Sequence, residues 1–154
     1  MGAPSNSGEP FEPAIAGYFC QKCGKDGLSG TGDMNGEYPD SLKSIRIICA
    51  EKVDPDLIRQ AFRYGADGVL ICGCLIGNCE TMVGNAEVLT HIHRSKMVLR
   101  ELGLEQGRLR QEWICKPGIE ILPDLIAEFT EQVRALGPAA VKKDHGLEAL
   151  PEEV

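Results

Sequence analysis

Residues 54–74 read Asp54-Pro55-Asp56-Leu57-Ile58-Arg59-Gln60-Ala61-Phe62-Arg63-Tyr64-Gly65-Ala66-Asp67-Gly68-Val69-Leu70-Ile71-Cys72-Gly73-Cys74. Asp54 is placed to cap a helix, Pro55 suits the first helical position, and Asp56 adds an acid to the first turn. Leu57, Ile58, Ala61 and Phe62 form an apolar face, and Gly65 is placed to end the helix. The strand that follows, Gly68 to Cys72, is apolar almost throughout, as expected of a strand covered on both faces. A capped helix running straight into a buried strand is the repeating unit of an α/β fold, and the rest of the chain can be read around it.

Upstream, Ala16-Gly17-Tyr18-Phe19 and Ser44-Ile45-Arg46-Ile47-Ile48 read as two more strands, the second ending at Cys49. Between them lies a glycine-rich stretch, Gly24 to Gly36, too broken for a regular helix and read as an irregular loop. It does not match the phosphate-binding glycine fingerprint, because no helix clearly starts within it. Downstream, Asn85 can cap a long helix running to about Gly103, with Leu89, Ile92, Leu99 and Leu102 facing inward. A fourth strand falls within Leu109 to Cys115. Leu122, Leu125, Ile126, Phe129, Val133 and Leu136 then repeat at helical spacing up to Gly137-Pro138. Alternation of this kind predicts a single doubly wound α/β domain, flavodoxin- or Rossmann-like, with about four parallel strands and right-handed crossovers. The domain is expected over residues 14–138, with a flexible arm at 1–13 and a polar tail at 139–154.

The chain has 154 residues, a formal charge of −7, 43% hydrophobic and 25% charged residues. These values suit one soluble globular domain. No stretch reaches the roughly 20 apolar residues of a membrane span, and Met1 to Glu12 lacks the apolar core of a signal peptide. The negative charge argues against nucleic acid as the main partner. A cytoplasmic location follows, where cysteines stay reduced and a cluster of them points to metal or catalysis rather than disulfides. Seven cysteines also do not suit a fully paired framework.

Five of those cysteines are the candidate site: Cys20, Cys23, Cys49, Cys74 and Cys79. Cys20, Cys49 and Cys74 close or follow strands, and Cys23 and Cys79 lie in the loops beyond. In an open α/β sheet, ligands bind outside the carboxyl ends of the strands. Thiolates gathered there suit an iron–sulfur cluster or zinc. The spacing matches neither standard ferredoxin pattern, so a cluster would sit on a preformed sheet edge. Gly73 and Gly77, on either side of Cys74, would let backbone amides approach the sulfurs. A zinc site is the alternative: Cys20-Gln21-Lys22-Cys23 resembles a zinc knuckle, and Cys74 with Cys79 would complete four ligands, leaving Cys49 unused. Dithiol redox chemistry at Cys20 and Cys23 is a third reading, weakened because no helix follows Cys23 at once to depress the thiol pKa. Cys72, inside the apolar run, is read as structural. Cys115 is either a spare thiol or an outer neighbour of the site. His91, His93, Arg94, Lys96 and Arg100 give the long helix a basic surface, read as solvated more readily than as a docking patch.

The runs Cys49-Ala50-Glu51-Lys52-Val53-Asp54-Pro55, Ala61 to Leu70, Gly73-Cys74-Leu75-Ile76-Gly77-Asn78-Cys79, Gly84-Asn85 and Arg108 to Ile114 resemble the delta subunit of methyl-viologen-reducing hydrogenase. The likeness spans about Ala14 to Pro138. It implies a small [2Fe–2S] protein that passes electrons between two partners. One is a flavoprotein similar to the A component of heterodisulfide reductase, and the other is an oxidoreductase module. That module would be of the hydrogenase, formate dehydrogenase, methylene-tetrahydrofolate reductase or benzoyl-CoA reductase type, in an electron-bifurcating complex. The resemblance further implies that four of Cys20, Cys23, Cys49, Cys74 and Cys79 hold the cluster, with Cys23 the expected spare. Cys72, Cys115 and the long polar ends depart from the family pattern.

Overall fold

All six residues of the strand Gly68–Gly73 are buried, as are all six of Ile15–Cys20. Both are interior strands of a four-stranded parallel sheet, which is why they are nearly continuous apolar runs. The computed structural model describes residues 10–20, 41–47, 49–73, 84–113, 121–141, 146 and 149–151, with the backbone alone at 51 and 84–88. In chain order the elements are β1 (Ile15–Cys20), β2 (Leu42–Ile47), α1 (Pro55–Arg63), β3 (Gly68–Gly73), α2 (Gly84–Glu101), β4 (Leu109–Trp113) and α3 (Leu122–Leu136). Short 3-10 turns at Ala50–Lys52 and Gln106–Arg108 precede α1 and β4.

The strand order is β2-β1-β3-β4. Register is set by Ile15 beside Leu42 and Gly68, and by Val69 beside Leu109. The edge strands β2 and β4 are only partly buried and carry the polar residues Ser44, Arg46, Arg110 and Glu112. Side chains alternate across the sheet. Ala16, Tyr18, Ile45, Ile47, Val69 and Ile71 pack in one core with Ile58, Ala61 and Phe62 of α1 and Leu99 of α2. Ile15, Phe19, Leu70 and Cys72 pack on the other face with Leu122, Leu125, Ile126, Phe129 and Val133 of α3. Helices on both faces of a parallel sheet make this the doubly wound fold that the alternation predicts.

Local details follow the expected chemistry at α1. Asp54 Oδ1 accepts from the Leu57 N–H at 2.8 Å, and Gly65 ends the helix at φ 117°. The last helix ends at Gly137, with φ 80°. Three expectations are corrected. Helix α2 begins at Gly84, so Asn85 lies within its first turn instead of capping it. Leu89 does not face inward but is 53% exposed, because Ser95, Val98 and Leu99 define the buried side and Leu89 lies opposite. The second strand spans Leu42–Ile47 instead of starting at Ser44. At the chain ends, Arg134 of α3 donates to the Phe11 carbonyl and pairs with Glu12, while Ala139 and Leu150 are buried in the first core. The glycine-rich stretch Gly24 to Gly36 lies outside the described residues.

The amino ends of the strands are tied by one polar hub. Asp67, just before β3, accepts through Oδ2 from Ala14 N–H at 3.0 Å and through Oδ1 from Ala139 N–H at 2.9 Å. Arg108, just before β4, is 1% exposed. Its Nη1 donates to the carbonyls of Asp67 and Gly137 at 3.0 and 2.8 Å, its Nη2 to Leu136 at 3.2 Å, and its Nε to Glu105 at 2.6 Å. A buried cation is tolerable only when its donors are all engaged. Replacing Arg108 by Ala leaves those carbonyls without a donor and is expected to lower unfolding free energy by about 3 kcal/mol or more. Arg108→Lys, which keeps charge but loses the planar fork, should recover only part of it. Urea unfolding of the three proteins checks both statements.

Candidate metal centre

In the order β2-β1-β3-β4, the chain leaves β1 toward β2 on one side and returns to β3 on the other. The carboxyl ends of β1 and β3 therefore flank the point where the winding reverses, the usual ligand crevice of an open α/β sheet. Cys20 is the last residue of β1 and Gly73 the last of β3. Phe19 is in register with Cys72, so Cys20 comes level with Gly73 one step further on. By alternation both belong to the face covered by α1 and α2.

Cys20 is also in register with Ile47, the last residue of β2, so Cys49 follows two residues past the end of the neighbouring strand. Adjacent strands lie about 4.8 Å apart. The backbone at Cys49 is fixed by the 3-10 turn that follows: the Lys52 N–H donates to the Cys49 carbonyl at 3.0 Å, and the Val53 N–H to that of Ala50 at 3.1 Å. That turn is pressed onto the end of β3. A Cβ at Gly73 would stand 3.0 Å from the Ala50 Cβ, 3.6 Å from Gln111 Nε2 and 3.7 Å from the Trp113 ring. A side chain at this position would crowd the Ala50 turn, and the close approach sets the residue after Cys49 against Gly73.

Cys20 and Cys49 are both buried, at 2% and 6% exposure. Cys23, Cys74, Cys79 and Cys115 lie outside the described residues, and among the described residues no group of three His, Cys, Asp or Glu side chains converges at metal distance. The described part of the donor set fits a thiolate-bound metal centre. Two soft sulfurs sit on adjacent strand ends in a dry setting, beside a backbone left bare by Gly73.

Cys72 is built differently. It belongs to the opposite face, buried against the α3 helix core. Burial pushes its thiol pKa up, the Glu112 carboxylate pushes it further, and Arg110 offsets part of that. Its place in that core makes Cys72 a packing residue of the α3 face. Sequence reasoning missed Ala50, Gln111 and Trp113, which surround Gly73. The β3–β4 register brings Gln111 and Trp113 to Gly73, and the turn after Cys49 brings Ala50; neither is visible in a sequence.

The sequence model of the family described as methyl-viologen-reducing hydrogenase, delta subunit, matches residues 15–137. The chain belongs to this family. It is 33% identical over 138 residues to the iron-sulfur subunit of the F420-non-reducing hydrogenase vhc of Methanococcus voltae, covering 90% of this chain and 96% of that protein. It is 34% identical to the iron-sulfur subunit of the F420-non-reducing hydrogenase of Archaeoglobus profundus, covering 84% of this chain and 95% of that one. A third relative has a different build. The A component of the ferredoxin:CoB-CoM heterodisulfide reductase of Methanosarcina mazei is 29% identical over 142 residues, 91% of this chain but 18% of that longer protein. The family unit thus occurs both on its own, as in the hydrogenases, and as a segment of a longer reductase chain. Among the described residues no helix is long and apolar enough to cross a membrane.

Gly73→Ala tests the geometry. The added methyl must displace the Ala50 turn, an overpacking cost of about 1–3 kcal/mol. Denaturant unfolding should register that loss, and mass-mapped maleimide labelling of the metal-free protein should find Cys49 reacting faster.

Proposed function

We propose that this chain is a small [2Fe–2S] electron-transfer subunit with no substrate site of its own. Four of Cys20, Cys23, Cys49, Cys74 and Cys79 hold the cluster, Cys23 being the expected spare. The observation that carries the reading is the burial of Cys20 and Cys49 at neighbouring strand ends beside the winding reversal, in a chain whose relatives are named iron-sulfur subunits. Bound there, the cluster supplies one-electron redox chemistry.

The protein's own contribution is to hold the sulfurs, keep water out and set the dielectric around them. Ile47, in register with Cys20, and Val53, four residues after Cys49, are each at 1% exposure in the core of the same sheet face, and a dry setting of this kind shifts cluster potential. The partners in this reading are a flavoprotein similar to the A component of heterodisulfide reductase and an oxidoreductase module of the hydrogenase, formate dehydrogenase, methylene-tetrahydrofolate reductase or benzoyl-CoA reductase type. The Methanosarcina mazei relative supports the first of these, because there the family segment is covalently part of the reductase chain. Electron bifurcation and a cytoplasmic location belong to the same proposal.

Oxygen-free purification followed by iron, sulfide and zinc analysis and visible spectroscopy tests it. The expected result is a coloured protein with about two irons and two sulfides per chain. Cys49→Ser should bleach it or shift its potential, while Cys72→Ala should keep full iron content with only a stability loss. A colourless protein holding about one zinc, indifferent to Cys49→Ser, would replace the relay with a zinc-bound scaffold.

A further inference from the structure

Helix α2 presents a basic face with two aliphatic anchors away from the core. Ser95, Val98 and Leu99 define its buried side. Leu89, His93 and Met97 recur every four residues on the other, so they line up along one face. Leu89 and Met97 are each 53% exposed and lie two turns, about 12 Å, apart. Arg100 falls on the same side, and Arg94 and Lys96 flank it. Single exposed aliphatics are ordinary; two on one line inside a cationic rim form a surface.

The charges strengthen the point. The chain carries −7 overall, yet Leu89 to Glu101 holds three formal cations, Arg94, Lys96 and Arg100, against one carboxylate, Glu101. That carboxylate is 3.9 Å from Arg59 of α1. Among the described residues the three cations make no ion pair, whereas Arg59, Arg108, Arg110 and Arg134 each do. Arg100, in the last turn, also suits the helix dipole, but Arg94 and Lys96 lie too far from the helix end for that reason to apply.

We infer that this face of α2 docks an acidic, aliphatic-bearing segment of a partner protein. Leu89 and Met97 would anchor it and Arg94, Lys96 and Arg100 would set its register. A second copy of this chain is a poor match, because Glu128 and Glu131 on the outer side of α3 are already paired in cis with Arg110 and Arg134. The inference depends on the electron-transfer reading only for the existence of a partner, not for the cluster.

The test uses the full chain in its native complex, with Met97 replaced by a benzophenone amino acid and the complex illuminated. The expected product is a crosslink to a Glu/Asp-rich stretch of another protein of the complex, mapped by mass spectrometry. A crosslink to a second copy, to nucleic acid or lipid, or none at all in an intact complex overturns it. In parallel, a variant combining Arg94→Glu, Lys96→Glu and Arg100→Glu should bind the complex about tenfold more weakly or worse, with its folded circular-dichroism spectrum retained. Undiminished binding at physiological salt also overturns the inference. Iron content is read on the same samples, so a colourless protein that still crosslinks as expected sinks the cluster reading alone.

Discussion

The buried guanidinium of Arg108 is the interaction on which the rest of the sheet depends. Four segments meet around it: the start of β1 through Ala14 and Asp67, the start of β3, the turn into β4, and the end of α3 with the residues beyond. A cation removed from water would be heavily penalised if any of these segments moved away, since its donors would lose acceptors that nothing else replaces. The same charge complements the carbonyls at the C-terminus of α3. All these contacts lie at the amino ends of the strands.

That polarity decides what the cysteines can do. Cys20 and Cys72 differ by one step in register, yet they belong to opposite faces of the sheet, one beside the winding reversal and the other inside the α3 core. The difference follows from the two-residue period of a strand. In the α3 core, burial and the Glu112 carboxylate push the Cys72 thiol pKa up. Gly73 completes the arrangement through a missing side chain, which lets the turn after Cys49 rest on β3.

Which parts of this could be read beforehand has a physical pattern. The strand β3, the capped helix α1 and the last helix were legible because propensity, capping and apolar period agree in each. The outward turn of Leu89 was not, because α2 has leucine, isoleucine, valine and methionine scattered around it, and only packing selects the side that holds Ser95. Arg108 looked like any charged residue before a strand; its burial comes from partners as many as 41 residues away. Ala139 and Leu150 sit in a segment too polar on average to signal a core contribution, yet each fills a place beside the first sheet face. At the site, the residue types and strand-end positions of the cysteines were visible, while the collar of Ala50, Gln111 and Trp113 depended on register.

Helix α2 connects the two ends of the functional argument. It starts at Gly84, five residues after Cys79 in the chain, and its buried side rests in the same core as β1 and β3. Its outer side carries the basic face. A relay protein must bring its redox group near that of a partner, because electron transfer weakens steeply with separation, and it must do so without a bound substrate to orient the encounter. In the proposed relay, α2, which starts five residues after Cys79 in the chain and carries charge and aliphatic anchors, would serve both needs with one element. Steering by the cations would act on encounter, and the anchors on how long the pair stays together. In the proposed relay, the hub at the amino ends would help hold the sheet on which both the docking face and the cysteines depend.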